Sequence, residues 1–415
     1  MKKVFLAIHP IHACCLALFL ALEVSAPGQQ SPPPAPNQAE INQQLLRRVE
    51  ELEIEVQRLT SQSATSPAPA AAPESPPLVE TPPVHAVNDR LNLNVFGDVG
   101  YHATDAPGVS SNTFDIGTLD IFMTSRLSEK VSLLGEVLFI ANSDNTIYAD
   151  IERLLLQYRY NDYFAFTMGR YHTSIGYYNT AFHRGAWFET AIGRPFMYAF
   201  GNEIPLQEVG VSTSGQIPSG KLGLHYVAEV GNGRDHILDT EPAQNTQDHN
   251  NGKSFNVALF ARPSAIPDLQ VGFSIYHDYL TFPNNIDHSE LISTVYAVYV
   301  NSKYELLNEA MLVRHTTSLT GAPGVFHTSA FYTQLSRAFG KYRPYFRYAY
   351  LNSSNDDPIY GNPEDGEVVG RRNGPSVGVR YDFNEHAAAK LQYDRLAIGG
   401  LGSSNTLGIQ FAFTF

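Results

Sequence analysis

From residue 91 to the end of this 415-residue chain, apolar side chains return at every second position, segment after segment. The last segment is the clearest: Leu407, Ile409, Phe411, Phe413 and Phe415 alternate with Thr406, Gly408, Gln410, Ala412 and Thr414. Val377, Val379, Tyr381 and Phe383 do the same against Ser376, Gly378, Arg380 and Asp382. In an extended strand this spacing places every apolar residue on one face, whereas a helix would scatter them around its circumference. Nowhere after the N-terminal segment is there the run of about 18 apolar residues that a membrane helix needs. A chain of this kind that crosses a bilayer must therefore do so as a closed barrel, because only closure satisfies every backbone polar group without water.

Roughly sixteen such segments of about 9–14 residues can be marked, a length suited to tilted membrane strands. They begin near Leu91, Thr113, Val131, Tyr148, Tyr163, Gln207, Lys221, Lys253, Leu269, Ser289, Lys303, Val325, Lys341, Gly374, Ala387 and Ser403. The connections alternate between tight turns, such as Asn161-Asp162, Asn301-Ser302 and Glu385-His386, and long loops, of which Thr173–Leu206 is the longest. A barrel with short turns at one rim and long loops at the other produces this alternation. The expected fold is all-β: an about 16-stranded antiparallel transmembrane β-barrel over residues 89–415, preceded by a short periplasmic α-helical coiled coil.

A soluble β-sandwich would show the same periodicity with its faces exchanged. Against it, the final strand is as apolar as the others and would be an adhesive edge in water. Tyrosines gather near strand ends, as in Tyr158/Tyr160/Tyr163 and Tyr342/Tyr345/Tyr348/Tyr350, in the manner of interfacial aromatic girdles. The second face carries Arg126, Arg153, Arg159, Arg343, Arg347, Arg380, Glu136, Glu229, Glu305 and Glu309, which a wet lumen would accommodate. The net charge of −13 argues against nucleic acid as a partner, since nothing would neutralise phosphates over an extended face.

Upstream of the barrel the composition changes four times. Residues 1–26 read as a signal peptide: Lys2-Lys3, an apolar run, then Val24-Ser25-Ala26 as small residues for cleavage. The only two cysteines, Cys14 and Cys15, lie inside it, so the mature chain would have no thiol chemistry. Residues 27–36 form a Pro-rich spacer and 61–88 a Pro/Ala-rich linker. Between them, 37–60 carries Leu45, Val49, Leu52, Val56 and Leu59 at spacings of 4, 3, 4 and 3, the a/d seam of a coiled coil. Stepping back puts Asn42 at an a position, where a polar residue tends to fix register and oligomer state.

The C-terminal Phe411-Ala-Phe-Thr-Phe415 resembles the signature that barrel-assembly machinery reads in outer-membrane proteins, with Phe411, Phe413 and Phe415 as its aromatic positions. Met168-Gly-Arg-Tyr-His-Thr-Ser-Ile-Gly-Tyr-Tyr-Asn179, followed by Trp187-Phe188-Glu189 and Arg194-Pro195, is similar to the strand-then-loop region of the phosphate-selective (O/P-type) porin superfamily and related trimeric porins with an N-terminal coiled coil. That resemblance implies a loop after the fifth strand that folds inward and narrows a channel. In this chain the loop would be Thr173–Leu206, with His183, Arg184, Glu189, Arg194 and Glu203 facing Arg126, Arg153, Arg159, Arg343, Arg347 and Arg380 across a constriction and setting a transverse field there. It also implies a homo-oligomer, a trimer. Phosphate-selective members rely on lysine-rich lumens, whereas only Lys390 clearly lies inside a strand in this chain.

No enzyme is expected. Gly374-Pro-Ser376-Val-Gly378 fits G-x-S-x-G, yet Ser376 opens a strand rather than a strand-to-helix elbow. Gly215 to Lys221 has phosphate-loop spacing, but Leu222 stands where a magnesium-binding hydroxyl belongs. Asp356-Asp357 and Glu364-Asp365-Glu367 could offer oxygen ligands to Ca²⁺ but follow no known ligand spacing; no cofactor or metal is expected. The reading is an outer-membrane porin, a water-filled channel for passive diffusion of small polar solutes and ions. Its alternatives are a porin selective for an anion, sugar or dicarboxylate, and a structural anchor whose periplasmic arm meets peptidoglycan.

Overall fold

The computed structural model describes residues 91–415 except 107, 109–110, 142–144, 183–184, 200–203, 235–245, 249–250, 282–286, 318–323, 358, 361–369 and 401. The described residues belong to one compact unit, Ala71–Phe415. The signal peptide, both Pro-rich segments and the coiled-coil seam lie outside the described residues.

Sixteen strands follow one another: β1 Asn92–Thr104, β2 Asn112–Arg126, β3 Val131–Ala141, β4 Ile147–Asn161, β5 Phe164–His172, β6 Gln207–Ile217, β7 Leu224–Gly231, β8 Ser254–Ala261, β9 Leu269–Thr281, β10 Asp287–Val300, β11 Tyr304–Thr317, β12 Gly324–Arg337, β13 Tyr342–Asn352, β14 Arg371–Asp382, β15 Ala387–Ile398 and β16 Gly402–Thr414. Each pairs antiparallel with its sequence neighbours, and β1 pairs with β16, so the sheet closes. Closure runs to the last residue, where the Phe415 N–H donates to the Val95 carbonyl and the Val95 N–H to the Phe415 carbonyl (3.0 and 2.8 Å). Among the described residues no strand edge of the sheet is left unpaired by closure.

The expected starts agree with the observed ones to within three residues, and one of the two largest offsets has a local cause. β7 was expected from Lys221 but opens at Leu224, because Gly220–Leu222 forms a 3-10 turn and Gly223 sits at φ +58°. β14 was expected from Gly374 and begins earlier, at Arg371. The short turns are set by side chains that imitate backbone. Asn301 Oδ1 accepts the N–H groups of Lys303 and Tyr304, and Asn161 Oδ1 those of Tyr163 and Phe164.

The outward face is apolar around most of the circumference. Phe114, Ile116, Ile151, Leu154, Leu156, Met168, Phe255, Val257, Ile275, Val295, Val377, Leu391 and Phe411 are all exposed. In water this would be a very large adhesive surface; against acyl chains it is the lipid-facing belt of an outer-membrane barrel. Tyr158, Tyr160, Tyr163 and Tyr342 stand exposed at its short-turn edge as expected. Tyr345 does not belong with them: it points inward, is 4% exposed and donates to Gln392 Oε1 at 2.9 Å. Its odd number puts it on the face of Arg343 and Arg347, opposite Tyr342.

The belt gives a direct prediction. Leu156→Arg should cost about 2–4 kcal/mol of folding free energy in bilayers, whereas arginine at the inward, exposed Gln216 should cost little. Denaturant refolding into lipid vesicles measures both. Equal tolerance at the two positions would contradict the assignment of faces.

Candidate functional site: the loop inside the barrel

The inner face is polar and charged, and a bulge increases its density. Where β3 meets β4 the register shifts between Glu136 and Val137, so consecutive residues Glu152 and Arg153 both face inward, at 1% and 8% exposure. Arg153 pairs with Glu136, and His172 Nε2 lies 3.0 Å from Glu152. Gly169, at φ +135°, sits against the Leu154 carbonyl, where an added Cβ would lie 2.1 Å away. After this twist Arg170 reaches back to both oxygens of Asp150 (3.1 and 3.2 Å).

From His172 the chain enters the lumen. Ser174 donates through its N–H and hydroxyl to Glu229 on β7, and the Gly176 N–H donates to Ser274 Oγ on β9. The next two residues converge on one carboxylate of β11. Glu309 accepts the N–H of Tyr177 (2.7 Å), the N–H of Tyr178 (3.0 Å) and the hydroxyls of Tyr198 and Tyr332. A one-turn helix, α1 (Tyr178–Ala181), follows. Burial, and next the Glu305 carboxylate for Tyr177, the Glu189 carboxylate for Tyr178 and the Glu309 carboxylate for Tyr198, raise these three phenols above their ordinary value of 10.0. The folded phenols thus ionise later than unfolded ones. Their contribution to docking is complete below about pH 10 and falls as the pH rises beyond it.

The chain then crosses to the other wall. Phe188 packs on Phe96 of β1 with ring centroids 4.8 Å apart, and Trp187 packs on the cluster Phe96, Phe122, Leu134, Leu155 and Tyr171. Three wall cations grip the loop backbone here. Lys390 Nζ donates to the carbonyls of Ala186 (2.6 Å) and Ala191 (3.2 Å). Arg380 donates to those of Trp187 and Glu189 (2.5 and 3.1 Å), and its guanidinium lies 5.0 Å from the Trp187 ring. Arg347 donates to the Gly193 carbonyl (2.7 Å). Gln392 spans the backbone of Ile192, accepting its N–H at 2.8 Å and donating to its carbonyl at 2.9 Å. The return path packs a 3-10 turn, Phe196–Tyr198, against Tyr332 of β12.

The candidates therefore fall into separate places. Arg347, Arg380, Glu189 and Arg194 are brought together at the loop, with Arg194 Nε 3.6 Å from Glu189. Arg153 lies on the neighbouring wall with Glu136. Arg126, Arg159 and Arg343 stand on the lumen face toward the short-turn ends of β2, β4 and β13, and Arg343 lies opposite Arg380 in register. His183, Arg184 and Glu203 lie outside the described residues. The expected opposition of loop charges to wall cations takes a different form: the wall cations are directed at peptide carbonyls, and Glu309, Glu229 and Glu305 at loop donors rather than at water. Phe411 and Phe413 lie on the outward side of β16 near its end and Phe415 directly follows it, with Phe411 and Phe415 exposed.

Lys390, Gln392, Glu309 and the tyrosines of the loop are the principal residues that sequence reasoning did not assign to the site. A lone lysine within an alternating strand was the one available signal. Among the late-loop carboxylates, Asp357 is occupied by His315 Nδ1 (2.7 Å) and the Ile359 N–H (2.9 Å).

No known protein family matches the chain, and no curated protein matches it in sequence. Solved structures do. The anion-selective porin from Comamonas acidovorans superposes with a TM-score of 0.56 at 11% identity, over 78% of this chain and 99% of that one. The outer membrane channel DcaP of Acinetobacter baumannii gives 0.52 at 9% identity, over 78% and 97%. OmpF of Salmonella typhi, in a complex with daunomycin, gives 0.52 at 13%, over 78% and 97%. At such identities the likeness is one of architecture, and in architecture the chain is an outer-membrane barrel of the porin fold.

Proposed function

We propose that this protein is an outer-membrane porin: a channel for passive diffusion of small hydrophilic solutes and ions, narrowed by the loop 173–206. The observation that carries this reading is the loop itself. A barrel serving only as an anchor has no need to bring its longest connection into the lumen and bind it there to strands β1, β7, β9 and β11–β15. A loop fixed at so many points forms a pre-organised constriction, set by geometry rather than by thermal motion. Liposomes carrying the purified protein should swell in isotonic sugar at rates that fall steeply with sugar size. Vesicles that stay impermeable to the smallest sugar would reject the reading.

In this reading the short-turn rim faces the periplasm, as the outer-membrane barrel pattern requires. The arm formed by residues 37–60 is then periplasmic and acts as a parallel three-stranded bundle that supports a homotrimer and reaches toward peptidoglycan. Deleting residues 37–60 should reduce the trimer fraction on native gels or release the protein from cell-wall pellets. Unchanged behaviour in both assays would make the arm a spacer. Phe411, Phe413 and Phe415 serve as the recognition end for the assembly machinery. Selectivity for an anion, sugar or dicarboxylate is the second reading, favoured by the cations gathered behind the loop.

A further inference from the structure

The outward face carries few charges, and toward the long loops its cations gather in one sector. Alternation puts Arg314 of β11, Arg371 of β14 and Arg395 of β15 on the exposed, lipid-facing side of their strands, with His327 of β12 opposite Arg314 in register. Each arginine lies nearer the long loops than the apolar residues of its strand: Arg314 beyond Leu312, Arg371 beyond Val377, and Arg395 beyond Leu391 and Tyr393. A lipid-facing arginine is costly at the middle of a bilayer and costs little near its surface. These positions therefore mark the level of the headgroups, where Tyr348, Tyr350 and Tyr393 also stand in the manner of an aromatic girdle. On β2, β3, β4, β7 and β8 the outward long-loop ends are apolar instead: Phe114, Phe139, Ile147, Val230 and Phe255. Lys253, just ahead of β8, is paired with Asp248.

The sector joins cations to an aromatic wall. Arg371 lies over the Tyr350 ring (5.9 Å), and its Nε donates to Asn373 Oδ1 (3.3 Å), whose Nδ2 donates to the Tyr348 hydroxyl (3.3 Å). Tyr350 stacks on Phe331 of β12 with ring centroids 5.3 Å apart, and Phe331 also meets Tyr348. The terminal nitrogens of Arg371 bond to no described residue, and the Arg314 side chain makes no hydrogen bond or ion pair among them. Residues 318–323, which join β11 to β12, include no charged residue. Arg395 is drawn to Asp105, just past β1, a carboxylate already held by the N–H and side-chain amide of Asn405 (2.5 and 2.7 Å). The β13–β14 connection carries Glu364, Asp365 and Glu367, outside the described residues. No acidic side chain is described on the outward strand faces, so the sheet of a second copy offers these cations no counter-charge. Phosphorylated headgroups do, through bidentate guanidinium–phosphate bonds. Arg314 and Arg371 stand three strand spacings apart, about 14 Å across the sheet, which suits a headgroup bearing two phosphates.

We infer that the outward long-loop edge of β11–β15, through Arg314, Arg371 and Arg395, binds a phosphorylated glycolipid of the outer leaflet. Its phosphates meet the guanidiniums, its sugar lies against Tyr348 and Tyr350, and its acyl chains run along Leu312, Phe331 and Leu391. This rests on the orientation given above, with the long loops outside, and not on any solute passing through the barrel.

The test is native mass spectrometry of the full-length protein in detergent, titrated with diphosphoryl lipid A or, in a parallel series, with phosphatidylglycerol, which is anionic but lacks the phosphorylated sugar. The unaltered protein should retain lipid A at a concentration roughly tenfold or more below that needed by R314Q/R371Q/R395Q, since each arginine beside an anionic headgroup contributes about fivefold. The triple lysine variant, which keeps the charge but not the bidentate geometry, should recover only part of the difference. Phosphatidylglycerol should bind more weakly than lipid A to the unaltered protein. All three side chains are exposed, so R314Q/R371Q/R395Q should fold and conduct as the unaltered protein does. Equal retention of lipid A by the unaltered protein and the glutamine variant overturns the inference, as does phosphatidylglycerol bound as tightly as lipid A. Loss of the oligomer rather than of the lipid in R314Q/R371Q/R395Q overturns it too, and assigns the face to a second copy of the chain. Absence of KCl current from the unaltered protein would instead overturn the pore reading alone.

Discussion

Replacing Glu309 with leucine should free the first half of the constriction loop and give a larger, noisier channel. Glu309 is 3% exposed and accepts the N–H groups of Tyr177 and Tyr178 and the hydroxyls of Tyr198 and Tyr332. Leucine fills a similar volume but leaves the two N–H groups and the Tyr332 hydroxyl without this acceptor in a buried site, while the Tyr198 hydroxyl keeps only the Ile175 carbonyl at 3.3 Å. Each stranded donor costs about 1–3 kcal/mol, so the docked loop loses several kcal/mol while the barrel's ladder hydrogen bonds remain. The loop, rather than the barrel, should yield. Glu309→Gln retains one acceptor oxygen and should do less. Gly176→Ala reaches the same place by another route: at φ +74° its Cβ would lie 1.9 Å from the Tyr198 hydroxyl and 2.5 Å from Glu309 Oε2. Single-channel recordings and protease cleavage between residues 183 and 203 in intact vesicles would report release. Unaltered conductance and protease resistance in Glu309→Leu would mean that the carboxylate is not the anchor.

Removing Lys390 and Arg380 together should shift ion preference toward cations. Lys390 is 1% exposed, forms no ion pair among the described residues, and points with Arg380 at the loop segment 186–191. A buried ammonium bonded to carbonyls is costly to desolvate, and apolar replacement of buried charge is often nearly neutral for stability. Lys390→Met should therefore change folding by only about 1 kcal/mol while removing a positive charge beside the loop segment 186–191. The double methionine variant should move the reversal potential in a tenfold KCl gradient toward the cation limit, relative to the unaltered protein. Because both cations hold one segment, their effects on loop docking should be non-additive. An unchanged reversal potential would show that the loop screens them from the lumen.

Much of the barrel was legible because its physics is local. Period-two alternation and Asn or Gly at turns leave their mark residue by residue, and Gln207, Leu269 and Ala387 open strands as expected. The loop's destination left a weaker mark. Its partners are far away in sequence, Glu309 lying 132 residues from Tyr177 and Lys390 lying 204 from Ala186. Many of its acceptors are peptide carbonyls, which every residue possesses. Charge reasoning paired side chain with side chain, and so expected Arg347 and Arg380 to oppose loop carboxylates; instead they bind the backbone of Gly193, Trp187 and Glu189. Arg126, Arg159 and Arg343 were rightly placed on the inner face. Arg126 and Arg159 lie nearer their short turns than Phe122 and Leu155, which meet the loop, whereas Arg343 stands opposite the loop-holding Arg380 in register.

Planar-bilayer recording of the purified full-length protein in symmetric KCl tests the central claim most directly. A narrowed diffusion pore predicts stepwise, ohmic current increments that persist without ligand, occur in groups of three if trimers insert, and enlarge in Glu309→Leu. Inserted protein that carries no current in either form would contradict it and leave the barrel as an anchor.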